Sequence, residues 1–238
     1  MMTTHRRPLA ARRGLILVAA TMPLAWGNGA APALRAAEPA STESAAAAAD
    51  PHPDLRRLSP DHAIWLDPAR GEVVVGGVVA LAEGPIEVFA CPERTKEHEA
   101  VVATSCPARF VHAGLLAIGL EPGSPVAFHP AYLAARGPAV AIRVRWTDAA
   151  GKAQECPAQH WVRNTKTGRQ LDAEWVFAGS GFWRDPADGQ DHYQADGGDM
   201  ICVSNFPTAM LDLPIESSES NEALLFEAFA GRVPPRGT

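Results

Sequence analysis

Glu72-Val73-Val74-Val75-Gly76-Gly77-Val78-Val79-Ala80-Leu81 decides the fold class. β-Branched side chains are stiff at χ1 and pack well on a pleated surface, so the valine-rich run favours a strand over a helix. Gly71 before it and Gly84-Pro85 after it bound the run, and the Gly76-Gly77 pair marks a bulge or bend. Working outward, Ile64-Trp65-Leu66 and Ile86-Glu87-Val88-Phe89-Ala90 read as its antiparallel neighbours, a three-stranded meander. Residues 139–146 end in Arg/hydrophobic alternation of period two and meet a turn at Asp148-Ala149-Ala150-Gly151, with a partner strand expected near His160-Trp161-Val162. Strands are also expected at 174–178, 200–204 and 223–229. Pro107 stands where a helix begins, Val111, Leu115 and Ile118 follow at i, i+4 and i+7, and Gly119 can close the end. The expected fold is α+β: a predominantly antiparallel, sandwich-like sheet of about eight strands with one short amphipathic helix near 107–118. Residues 179–198 are rich in turn formers and are expected to form a long loop or loose hairpin.

The N-terminal part has a different character. Met1 to Arg13 is basic, Gly14 to Trp26 is mostly apolar, and Ala31-Pro32-Ala33 places small residues where a signal peptidase reads them. That apolar run is too short for the ~20 residues of a membrane-spanning helix. Residues 1–33 are therefore expected to be an export signal, leaving no transmembrane segment in the mature chain and a periplasmic or extracellular destination. Residues 34–60, made mostly of Ala, Pro, Ser and Glu, are expected to be a disordered linker. Residues 61–238 are expected to be one globular domain.

Four arginines and no acidic residues lie in the first 33 positions, so the mature chain carries 17 basic against 27 acidic side chains. Such an excess repels phosphate backbones and anionic lipid, which excludes nucleic acid as a partner. Cys91, Cys106, Cys156 and Cys202 contain no C-x-x-C pair, so a tetracysteine zinc site or iron–sulfur cluster has no support from spacing. In an oxidising compartment they are expected to form at least one disulfide.

The densest polar cluster is Cys91-Pro92-Glu93-Arg94-Thr95-Lys96-Glu97-His98-Glu99. A thiol, an imidazole and carboxylates this close together suit a divalent transition metal, with His112 on the following helix as a further nitrogen ligand. The candidate metal ligands are Cys91, His98, Glu99 and His112. The same stretch also suits a solvated loop, and Cys91 could act as a nucleophile only in an accessible site that lowers its pKa. A second constellation joins Trp175-Val176-Phe177-Ala178-Gly179-Ser180 to Ser204-Asn205-Phe206, and it suits either a ligand-binding rim or a core strand leading into a tight turn. Lys96, Trp175, Ser180 and Asn205 are the candidate ligand-binding residues. Asp185, Asp188, Asp191, Asp196 and Asp199 miss the EF-hand spacing, so a solvated loop is the expectation there.

Taken together, Ile86 to Cys91, Lys96-Glu97-His98-Glu99, Val111-His112-Ala113-Gly114-Leu115-Leu116-Ala117-Ile118-Gly119 with Pro122-Gly123, and Trp175 to Ser180 resemble the YdjY-domain proteins, exported bacterial proteins without an assigned reaction. The resemblance runs from about Ile64 to the C-terminus. It implies an exported single domain in which Cys91, Lys96, His98, Glu99 and His112 belong to the family's own motifs. Cys106, Cys156 and Cys202 fall outside those motifs, and the sequence stops after Pro234-Pro235-Arg236-Gly237-Thr238 where the resemblance implies a further strand. The expected function is a noncatalytic module binding a metal or small ligand. The alternatives are a metal-assisted or thiol-based enzyme using the same residues, and a structural module contacting an envelope protein.

Overall fold

The computed structural model describes residues 14–19, 50–217 and 224–238. The basic leader residues, the cleavage site at Ala33 and residues 34–49 of the expected linker lie outside them. Among the described residues no helix is long and apolar enough to cross a membrane.

The fold is α+β, dominated by one large, mostly antiparallel sheet with a single α-helix. Pairing runs from Gly14–Ala19 to Ala139–Thr147, Trp175–Phe177, Leu211–Asp212, Ile201–Cys202, Val88–Pro92, Ala100–Thr104 and Glu72–Val79. The last of these pairs back onto Gly14–Ala19, so the path closes on itself. Glu72–Val79 is one unbroken strand that spans two neighbourhoods, and the bulge or bend expected at Gly76-Gly77 does not interrupt its register. Residues 72–75 pair with Ile64–Asp67 and residues 72–77 with Gly14–Ala19, and Val78 and Val79 pair with Ala103 and Val102. Close packing requires glycine there: a β-carbon on Gly77 would lie 2.8 Å from the Ala103 carbonyl oxygen.

The meander is corrected at its third strand. Ala100–Thr104 lies between Glu72–Val79 and Val88–Pro92, and it runs parallel to the latter. The polar loop after Cys91 turns the chain back so that this small-residue strand fills the gap. The partner of Ala139–Thr147 is Ala153–Pro157 rather than the segment at His160, which forms a 3-10 turn. Ordered structure also begins before residue 61. Arg56–Arg57 pairs with Leu66 and Trp65, Leu55 packs on Trp65 and Val74, and the Trp65 indole donates to Asp50 at 3.0 Å. These contacts recruit the end of the expected linker, because they give its few apolar side chains somewhere to bury. At the other end, Gly237 N donates to Val79 O and Val79 N to Thr238 O, both at 2.9 Å.

The helix Ala108–Ala117 starts after Pro107 and buries Ala108, Val111, Gly114 and Leu115 against the Ile64–Asp67 and Glu72–Val79 strands. Its end is a Schellman motif: Leu120 N donates to Leu115 O and Gly119 N to Leu116 O, with Gly119 at φ +80°. The core inside the sheet includes Val73, Val75, Phe89, Ile142, Trp161 and Trp175.

All four cysteines are unbridged thiols, contrary to the disulfide expectation. They sit on separate elements: Cys91 faces Ala103, Cys202 faces Val88, Cys156 faces Val144 on the outer hairpin, and Cys106 precedes the helix.

Candidate functional site

Three segments converge on Lys96. Glu87 precedes the Val88–Pro92 strand, and its backbone joins the other two: Glu87 N donates to Glu99 O at 3.1 Å, and its carbonyl accepts Val203 N and Ser204 N at 2.9 Å. Between Pro92 and Ala100 the chain turns through Arg94 at φ +63°, with the Thr95 hydroxyl donating to Pro92 O and the Arg94 amide to the Glu97 carboxylate. This local bonding swings Lys96 inward, and Glu97–Glu99 closes as one 3-10 turn. Asp199 leads into Ile201–Cys202, and its second oxygen accepts the Thr208 hydroxyl.

The Lys96 ammonium lies 3.1 Å from Glu87 Oε2, 3.2 Å from Asp199 Oδ1 and 3.7 Å from Glu99 Oε1. Phe206 lies under the same ammonium, 4.1 Å from Nζ to the ring centroid. Three carboxylates therefore face one ammonium. Burial alone would pull Lys96 down, but the Asp199 and Glu87 carboxylates outweigh it and hold Lys96 above its ordinary range. Glu99 moves upward because it is partly buried and stands beside the Glu87 charge, which Lys96 does not fully offset. His98 is 77% exposed, with Nε2 3.9 Å from Glu99 Oε2. The pole thus holds surplus negative charge beside an accessible imidazole.

The remaining sequence candidates fall elsewhere. Cys91 is fully buried beside Val88, Ala100, Cys202 and Ala209, and burial pushes its thiol up to about 11. His112 is half-buried against Phe177, with Nδ1 2.8 Å from the Tyr193 hydroxyl, and burial lowers its pKa. Cys91, His98, Glu99 and His112 do not gather into a four-ligand group. Among the described residues, the three-ligand group whose atoms lie within 4.8 Å of one another is Asp185, Asp188 and His192, on the Phe182–Arg184/Asp191–Tyr193 hairpin. Its Asp188–His192 contact, 2.9 Å, also serves as a hairpin bond.

Of the other ligand candidates, Trp175 is completely buried and its indole donates to Cys202 O at 2.7 Å, so it belongs to the core. Ser180 takes φ +55° and donates from Oγ to Thr208 O at 2.6 Å, which holds the strand end against the 206–209 turn. Asn205 is likewise buried. Its Nδ2 donates to Asp212 Oδ1 and Leu213 O, and its Oδ1 accepts Ser217 N at 2.7 Å. Asp212 beside it is raised to about 7 by burial, against the donors that lower it, and its Oδ2 has no hydrogen-bond partner.

Glu87, Asp199 and Phe206 complete the Lys96 pole without standing out in its sequence cluster. Phe206 belongs to the second constellation, Asp199 is paired with Lys96 rather than solvated as expected, and the signal for Glu87 is a lone carboxylate inside the apolar run Ile86 to Ala90. A burial-prone strand keeps a charge only where a partner waits.

A family model described as the YdjY domain matches residues 64–238. No curated protein and no solved structure matches the chain.

Proposed function

The chain belongs to the YdjY-domain family, and from that premise we propose that it is an exported, noncatalytic binding module whose ligand is a small cation, foremost a divalent transition metal. The observation that carries this reading is the charge surplus at one pole: Glu87, Glu99 and Asp199 around the single ammonium of Lys96, with the His98 imidazole beside Glu99. A cation seated at Glu99 and His98 relieves repulsion that Lys96 leaves in place, and imidazole plus carboxylate oxygen suits a borderline metal. Basic leader, apolar run and small-residue cleavage site support export. The thiol-enzyme alternative finds no support in Cys91, which is buried and raised to about 11 where a nucleophile needs a lowered pKa.

Equilibrium dialysis of chelator-treated protein against Zn²⁺ tests the reading. One equivalent bound, lost in His98→Ala and Glu99→Gln and kept in His112→Ala, supports it. Binding lost only in His192→Ala would place the metal on the hairpin and contradict the proposed seat. N-terminal sequencing of the secreted protein tests export, and an N-terminus still containing Arg6 would end that part.

A further inference from the structure

Gly14–Ala19 is the most apolar part of the leader, yet it lies as a strand inside the sheet. It runs parallel to both neighbours, from Gly14 opposite Glu72 to Ala19 opposite Gly77 on one side, and from Gly14 opposite Ala141 to Val18 opposite Arg145 on the other. These pairings close the sheet. Without them, two edges would face each other across a gap of about 9.5 Å, twice the spacing of paired strands.

Those edges lack the devices that protect exposed strands. From Val73 to Val79 the first wall has no charged residue and no proline. On the second wall Arg143 and Arg145 are engaged by the Glu155 carboxylate, and Val140, Ile142 and Val144 point into the core. Unpaired apolar edges beside a core bind other strands. The Gly14–Ala19 occupant is uncharged and built on Leu, Ile and Val, which states what the slot accepts.

We infer that the slot between Glu72–Val79 and Ala139–Thr147 is a strand-acceptor site, which in the exported protein takes an extended, uncharged, branched-aliphatic strand from a partner polypeptide. Main-chain hydrogen bonds to both walls supply the affinity, and the valine and isoleucine faces select the side chains. The leader strand is the stand-in for that partner. The inference rests on the export reading in one respect: leader removal is what opens the slot.

The test uses the secreted protein after its N-terminus has been sequenced. A synthetic peptide Gly-Leu-Ile-Leu-Val-Ala with a solubilising lysine tail is titrated in, and amide exchange is followed over residues 72–79 and 139–147. Saturable one-to-one binding that slows exchange in both walls, and is lost for the peptide carrying Leu17→Pro, supports the slot. Three outcomes overturn it: no binding, walls already protected without peptide, or protection arising from a dimer. If sequencing shows the leader retained, the export reading fails separately, and the full chain with Leu17→Pro decides the slot. Faster exchange confined to the two walls supports it, and unchanged exchange overturns it.

Discussion

Gly198 lies so close to Lys96 that a β-carbon on it would stand 2.7 Å from Lys96 Cγ and 2.9 Å from Cδ. The residue also takes φ +132°, a conformation that costs an L-residue about 1–3 kcal/mol. Gly198→Ala is therefore expected to destabilise the domain by about that amount and to displace the lysine stem from its three carboxylates. Urea denaturation measures the first effect. An unchanged midpoint would show that the turn gives way freely.

Lys96→Met removes the one cation from Glu87, Glu99 and Asp199 and leaves carboxylates without their partner. Breaking a buried pair costs about 3–5 kcal/mol, and the lower end applies here because the lysine is 24% exposed. The deficit should shrink as pH falls, since Glu99, raised by burial and by the Glu87 charge beside it, no longer needs the ammonium once it is protonated. In the wild type the sign is set by the raised Lys96: its contribution is complete below the ordinary lysine value of about 10.4 and is lost as pH rises through its higher folded value. Denaturation midpoints for both proteins at several pH values check this.

Asp212 makes a separate pH prediction. Its carboxyl is raised to about 7 in the folded protein, so its stabilising contribution is complete below an unfolded value of about 3.9 and is lost as pH rises through about 7. Asp212→Asn should flatten that part of the stability profile and leave the variant the more stable above pH 7, by on the order of a few kcal/mol. Equal slopes in the two proteins between pH 4 and 7 would refute it.

The thiols provide a fourth check. Burial raises Cys91 and Cys156 to about 11 and Cys106 to about 12, and it lifts the fully buried Cys202 well above its ordinary range. A disulfide reagent at pH 8 should therefore react slowly with the native protein and find four thiols after unfolding. Fewer than four in denaturant would reveal a bridge.

The parts of the fold legible in sequence were those with strong local signals. The Pro107 start and Gly119 stop bracket the helix because a proline first turn and a glycine C′ position are local chemistry. Val73 to Val79 reads as a strand because its run is β-branched, and it pairs without a break through its two glycines. Ala100–Thr104 carries no comparable mark: its place between two strands is decided by the loop at Lys96, a tertiary matter. The site divides the same way. His98, Glu99 and Lys96 share one turn and could be seen together, whereas Glu87 and Asp199 arrive from distant segments. Trp175 and Asn205 show the converse, since an aromatic beside glycine and a buried amide look alike in sequence whether they line a rim or fasten a core.

The central claim is that surplus carboxylate charge beside His98 forms a cation seat, and calorimetric titration of Zn²⁺ into chelator-treated protein tests it most directly. In buffers of different ionisation enthalpy at pH 6, the account predicts one site, proton release as the metal replaces protons held by the raised Glu99, and loss of both signals in Glu99→Gln. Absent binding heat, or a site whose affinity and proton release are unchanged in Glu99→Gln and His98→Ala, would contradict it.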